Sequence, residues 1–376
     1  MRRDLKLEVI AFSKTCDRVI SRTPQCSSRS MTPLTQVVSP RDIPEWDQIV
    51  GRFPKASFFH SAAWADVLQQ SYGFRPQYFV RGPLDSPSAI LPVMDVASFL
   101  TGKRGVSLPF SDQCDPLSRD PVEAHALWKD ALAHAKRLSW KYLEVRGPLT
   151  DFCEGKVATE FYGHTLDLSG SEQTLSRNVD SSVRRAVRKA EQAGLTTEVS
   201  HSFEATRIFY RLLGKTRRRH GVPVQPFSFF REIHRAIISQ GKGCIVLAKS
   251  GLVPVAGAMF FNFGHTAVYK YGGSDPYYQH LRGNNLVMWK AILWHAQNGY
   301  ERLDFGRTSH DNAGLRSFKL GWGAQENSIA YMRFDCQKSS WLAVPDTSSG
   351  RLSPLFKRIP LSVSRLVGAL AYRHIA

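Results

Sequence analysis

The sequence has no uninterrupted apolar run approaching the roughly eighteen residues needed for a helix to span a bilayer. It has no CxxC pair and no cysteine–histidine spacing suited to a metal, although it contains Cys16, Cys26, Cys114, Cys153, Cys244 and Cys336. Free thiols in a reducing compartment fit that pattern, and no metal is expected. Heptads long enough for an antiparallel helical arm are also missing. Acid is scarce: 32 Asp and Glu stand against 50 Lys and Arg, a formal net charge of +18. Such an imbalance favours an anionic partner, whether a phosphorylated substrate, RNA or an acidic membrane surface.

What is present suits an α/β protein of two domains. The 376 residues are 43% apolar and 11% aromatic, enough for two cores of ordinary size. Residues 1–36 differ from the rest: a basic, Ser/Thr-rich leader whose longest apolar run, Val9-Ile-Ala-Phe12, is too short for a secretion signal. It is expected to be disordered, and Met31 is a candidate start. Helices are expected at 43–49, 61–68, 122–138, 183–193, 203–220 and 227–240. Strands are expected at 76–80, 89–93, 106–108, 142–146, 163–168, 244–249 and 255–262.

The densest chemistry lies further on. Ala267-Val-Tyr-Lys-Tyr271 alternates like a strand, which places Tyr269 and Tyr271 on one face. Gly272-Gly273 ends it. Asn284 and Asn285 are candidate N-caps for a helix reaching Ala296, with Asn298-Gly299 as its stop. Arg302-Leu-Asp-Phe305 supplies the next strand. The helix start, beside Arg282 and Gly283, is a candidate phosphate site. A glycine-bracketed basic loop, Gly314 to Gly323, follows.

Residues 267–323 resemble the C-terminal half of the FemAB family, whose fold is that of the GNAT acetyltransferases. The likeness rests on Tyr271-Gly-Gly-Ser, Leu281-Arg-Gly-Asn-Asn-Leu286, Asp304-Phe-Gly-Arg-Thr308 and Leu315-Arg-Ser-Phe-Lys319. It is nearest to the subgroup associated with exosortase and exopolysaccharide systems. Weaker echoes lie in Phe58-Phe-His-Ser-Ala-Ala-Trp64, Ser111-Asp-Gln-Cys-Asp-Pro-Leu117 and Thr216-Arg-Arg-Arg-His-Gly221. The resemblance implies two tandem GNAT-like domains with mixed sheets, over 37–165 and 166–345. It also implies transfer of an acyl or aminoacyl group to an amine, with either aminoacyl-tRNA or acyl-CoA as donor and no tightly bound cofactor. The segment His280-Leu-Arg-Gly-Asn-Asn285 departs from the usual pyrophosphate loop: His replaces Arg or Gln, and Asn replaces the last small residue. The donor therefore stays open.

The resemblance makes Lys319 and Asp304 the catalytic candidates. Lys319 would stabilise an oxyanion or a donor phosphate, and Asp304 would take a proton or pair with Arg307. Tyr269, Tyr271, Arg307, Arg316, Phe318, Arg217 and Arg218 are candidates for substrate binding, and Arg282, Gly283, Asn284 and Asn285 for the donor. Each retains a plainer reading as a core aromatic or surface cation. His220 and His280 are further base candidates, and Cys114 is either a nucleophile or a packed thiol. Two basic clusters, 177–189 and 207–219, are either solvated helix faces or anion-binding walls.

The tail from Arg351 to Ala376 carries five Lys and Arg and no acid. It predicts a helix begun by Pro360 and bearing Leu361, Val363, Leu366, Val367, Leu370 and Ile375. That helix either caps the second domain or lies on an anionic bilayer. The expected protein is a cytoplasmic transferase acting on an anionic envelope or exopolysaccharide precursor, with two options left open: a lipid-linked acceptor and a peripheral seat on the inner membrane face. The alternatives are an acetyl-CoA-dependent N-acetyltransferase and a non-catalytic module that binds RNA, tRNA or membrane. The oligomeric state is left open.

Overall fold

The computed structural model describes residues 34–345 and 353–374. The expected leader and Ile375 lie outside these residues, apart from Leu34, Thr35 and Gln36, and Thr35 already opens a strand, Thr35–Val38. The fold is mixed α/β. One twelve-stranded sheet runs Leu195–Ser200, Gly243–Ser250, Val253–Phe263, Thr266–Ser274, Arg302–Asp304, Val157–Asp167, Gln325–Asp335, Tyr142–Val145, Gly102–Val106, Met94–Ser98, Arg75–Pro76, with Ser340–Trp341 paired beside Gln325–Asp335. A second sheet of four short strands, Thr35–Val38, Tyr78–Arg81, Ala89–Leu91 and Leu117–Ser118, lies off it.

The middle of the large sheet positions everything that follows. Val157–Asp167 pairs at one end with Arg302–Asp304 and along most of its length with Gln325–Asp335. Gln325–Asp335 then pairs with Tyr142–Val145, which comes from the first half of the chain. A late strand thus completes an early one, and side chains from both halves face one another there.

Packing joins the halves on the other side. Helix Ala62–Tyr72 is capped by Ser61, whose hydroxyl accepts from the Trp64 amide, and it ends at Gly73 in the left-handed region. Its Trp64 is fully buried, with ring centroids 5.8 Å from Phe261 and 6.1 Å from Phe229 of the second half. Truncating such a tryptophan costs about 3–5 kcal/mol.

Helix Phe203–His220 begins at Ser202, which caps the Ala205 amide, and stops at Gly221, φ +67°. Its inward face carries Phe209, Tyr210 and Leu213, and Arg217 follows Leu213 by four residues on that same face. Arg218 is exposed on the outer side. The run Arg217–Arg219 is therefore divided by helical geometry, with one arginine turned inward.

Candidate active site

The site opens where two parallel strands separate. Thr266–Ser274 pairs with Arg302–Asp304 only from Thr266↔Arg302 to Val268↔Asp304. Beyond that point the first strand continues along Val253–Phe263, while the second turns at Gly306, φ +67°. A β-carbon at Gly306 would lie 2.9 Å from Asp112 Cγ, so glycine is required both by the turn and by the packed carboxylate. The space between the strands is a cavity of about 790 Å³ lined by Tyr269, Phe305, Leu315, Phe318 and Lys319 among others.

Lys319 is not in a loop. Residues 313–320 form a helix, because the Asn312 side chain accepts from the Leu315 amide and supplies an N-cap that glycine spacing does not reveal. The last turn of that helix carries Lys319 inward to 2% exposure. Its Nζ donates to the Gly306 carbonyl at 2.7 Å and the Arg307 carbonyl at 3.0 Å. An ammonium has three N–H donors, so one remains for a ligand in the cavity. Burial pushes its pKa down to about 8, with Lys270 and Arg307 lowering it further against the opposing pull of Asp112 and Asp304.

Asp304 is also in the cluster, behind the cavity walls. Its carboxylate accepts from the Gly306 amide at 2.7 Å, and burial pushes its pKa up to about 6. The expected pairing with Arg307 does not form; the Arg307 guanidinium instead stacks 4.3 Å from the Phe161 ring and 5.2 Å from Tyr331. Asp304 thus anchors the turn that holds Lys319.

The alternation expected of Tyr269 and Tyr271 is broken. Met259 pairs with Tyr271 and Phe260 with Tyr269, so Lys270 is an extra residue in a β-bulge. Tyr269 consequently packs with Phe260 and Phe305, and Tyr271 with Phe230 in the opposite core layer. The bulge delivers Lys270 to Asp112 at 2.7 Å, with its ammonium 5.0 Å from the Phe59 ring. Burial raises the Asp112 pKa, but the charge and hydrogen bond of Lys270, then Arg307 and Lys319, together hold it below the usual carboxylate range. Neither Lys270 nor Asp112 is a candidate by spacing alone. The signal was present, though, in the Tyr-Lys-Tyr strand and the Ser111–Leu117 motif.

A second cavity of about 540 Å³ shares Asp112, Lys270, Tyr271, Arg307 and Arg217 with the first. Its far wall is a bonded network in which Glu144 accepts from Arg146 at 3.1 Å and from Arg333. Tyr331 donates to the Asp112 carbonyl at 2.7 Å, and the Arg146 guanidinium lies 5.3 Å from the Tyr331 ring. Among the described residues Arg217 and Arg307 have no carboxylate within ion-pair distance. Two guanidiniums without a carboxylate ion pair therefore sit at the wall shared by the two cavities.

Other candidates fall elsewhere. Arg316 is bidentate to Glu326 at 2.7 and 2.8 Å, stacks over Tyr162, and points to solvent. Phe318 lines the larger cavity and packs edge-on to Trp322. His220 also lines it, its pKa lowered by burial and by Arg219 and Arg217. His280 is exposed, with Nδ1 at 3.2 Å from the Tyr277 carbonyl. Cys114 is fully buried, 3.7 Å from His60, and burial pushes its thiol far up; it is a packed residue.

The helix expected to start at Asn284 or Asn285 starts at Gly283, with Arg282 at the N-cap in the left-handed region, φ +59°. Asn284 instead donates from its side chain to Ser274 Oγ at 3.3 Å. Arg282, Gly283, Asn284 and Asn285 line a cavity of about 170 Å³ at this first turn. A fourth hollow of about 230 Å³, lined by Ser274, Asn284, Phe318 and Tyr269, lies between it and the Lys319 cavity. A ligand with an anionic end at the helix and a reactive end at Lys319 has a continuous run of lining residues to follow.

Residues 177–325 match the family model described as an acetyltransferase (GNAT) domain. No curated protein matches the sequence. Among solved structures, FemX matches with a TM-score of 0.64 at 15% identity, covering 79% of this chain and 96% of FemX. A domain assigned to a lysylphosphatidylglycerol synthetase from Agrobacterium fabrum matches at 0.51 and 15%, covering 78% and 92%. A tandem GNAT protein from the clavulanic acid biosynthesis pathway matches at 0.51 and 12%, covering 81% and 98%. Residues 177–325 are thus similar to a GNAT acetyltransferase domain, and the chain shares its fold with FemX and with the tandem GNAT protein.

Proposed function

We propose that this protein transfers an acyl or aminoacyl group to an amine of an anionic cell-envelope or exopolysaccharide precursor. The observation that carries the reading is Lys319: a buried ammonium with a spare donor, at a strand opening next to two guanidiniums that lack carboxylate partners. The attacking amine forms a bond to the donor carbonyl carbon, and negative charge develops on the carbonyl oxygen. Lys319 donates to that oxygen, a contribution typically worth about 10²–10³ in rate. The tetrahedral centre then expels the donor's thiolate or ribose oxygen, and the amine loses its proton to a nearby base. His220, which lines the same cavity and is kept unprotonated at neutral pH by its lowered pKa, is the base candidate. Arg217 and Arg307 hold the acceptor's anionic group, and the halves 37–165 and 166–345 act as two domains around it.

The hollow at Arg282–Asn285 favours a second reading, in which the donor is acetyl-CoA with its pyrophosphate at the helix start. The FemX and synthetase likenesses favour an aminoacyl donor instead. Parallel calorimetric titrations with acetyl-CoA and with aminoacyl-tRNA decide between them. Saturable unit-stoichiometry binding of one donor, weakened in Arg282→Ala, supports transfer and names the donor. Silence of the folded protein with both would overturn the reading.

A further inference from the structure

The helix Leu361–Ala371 is built the wrong way round for a simple cap. Its inner face carries Leu361, Ser364, Gly368 and, just beyond its end, Tyr372. Ser364 and Gly368 are buried, and a β-carbon at Gly368 would lie 1.8 Å from the Val224 carbonyl oxygen. Its outer face carries Val363, Leu366 and Leu370, which are 44, 61 and 65% exposed and share one side of the helix. Ser364 and Gly368 thus face the protein between Leu361 and Tyr372, while three large aliphatics face out.

The exposed stripe has a neighbour. His374, three residues past the helix, is buried on the hairpin of Met94–Ser98 and Gly102–Val106. Its Nδ1 lies 2.9 Å from Ser98 Oγ, and its carbonyl accepts from Arg104 at 2.8 Å. That hairpin turns through Phe99 and Leu100, 85 and 67% exposed, where polar residues are usual. Phe99 packs edge-on to His374, 4.7 Å between centroids.

The surroundings are basic. Residues 353–374 carry Lys357, Arg358, Arg365 and Arg373 and no acid. Lys103 and Lys141 flank the hairpin tip, with Lys141 donating to the Thr101 carbonyl at 3.0 Å. Arg207 and Arg211, beside Leu366 and Ala369, are held by Glu204. No described helix is long and apolar enough to cross a membrane. Exposed aliphatics and a hairpin-tip aromatic, bordered by cations, match the chemistry of an anionic lipid surface.

We propose that this face, Val363, Leu366 and Leu370 together with Phe99 and Leu100, docks the protein on an anionic bilayer. The charge complementarity selects lipid over an apolar protein groove. Docking places the active site at the membrane: Tyr372, which follows the helix, lines the 540 Å³ cavity and donates to the Pro223 carbonyl at 2.9 Å. A lipid-linked acceptor would then reach that cavity from the bilayer. This last consequence rests on the transferase reading; the docking itself does not.

The test is flotation of the full chain with vesicles of phosphatidylcholine alone or mixed with phosphatidylglycerol, at low and physiological salt. The wild type is expected to float with the anionic vesicles only. Leu366→Glu/Leu370→Glu and Phe99→Ser/Leu100→Ser should each lower the bound fraction at least roughly tenfold, with an unchanged melting temperature. A wild type that ignores anionic vesicles, or variants that float as well as it does, would overturn the proposal. So would a lipid-free dimer, seen by light scattering, that these substitutions dissolve. Donor binding measured on the same variants separates the two claims, since it should survive when flotation is lost.

Discussion

Two lysines enter the site from opposite walls and meet different company. Lys270 comes from the bulged strand and is neutralised by Asp112 at 2.7 Å. Lys319 comes from a short helix and is held by two carbonyl oxygens, with no carboxylate within ion-pair distance among the described residues. A buried cation paired to its own carboxylate shapes a wall. One held only by carbonyl dipoles keeps its charge available to a ligand. The same contrast divides the arginines, with Arg146 and Arg333 consumed by Glu144, and Arg217 and Arg307 left to face the cavities.

The strongest way to break this comparison is to remove the paired lysine. Lys270→Met leaves Asp112 without its partner and should destabilise the protein by about 3–5 kcal/mol, read by chemical denaturation. Adding Asp112→Leu should restore most of that loss, since no unpaired charge remains. Lys319→Met should do the reverse: turnover falls about 10²–10³-fold while stability changes less than in Lys270→Met. Equal behaviour of the two variants would erase the distinction.

Smaller effects sharpen it. Gly306→Ala forces a side chain into the left-handed region against Asp112 and should cost about 1–2 kcal/mol in thermal unfolding. A pH dependence of stability should accompany these effects. The folded pKa of Lys319 is about 8, below the unfolded value of about 10.4. Between those values the unfolded chain binds more protons, so this group makes stability rise with pH across that window. Denaturation midpoints measured from pH 7 to 10 should show that rise in the wild type and a flatter curve in Lys319→Met.

Much of this was legible in the sequence, and the exceptions have physical causes. The helix at 203–220 and the strand–helix–strand order from 267 to 305 follow from periodicity, caps and stop signals. Strand Gln325–Asp335 gave no signal, because it opens Gln-Glu-Asn-Ser, and its pairing with Val157–Asp167 and Tyr142–Val145 is set by tertiary contacts. The bulge at Lys270 is invisible to a period-two reading, which puts the two tyrosines on one face. The helix starts at Gly283 and not at Asn284 or Asn285, because a non-glycine residue, Arg282, adopts the left-handed N-cap. Lys319 was singled out by resemblance; its burial and its carbonyl cradle needed the fold.

The central claim is that Lys319 is buried, cationic at neutral pH and without a carboxylate partner. Its most direct test is an NMR titration of lysine Cε resonances in ¹³C-labelled protein, assigned by comparison with Lys319→Met. A resonance that titrates at about 8 and vanishes in the variant is the predicted result. A Lys319 resonance still unmoved at pH 10 would mean that a carboxylate neutralises it, and would contradict the account.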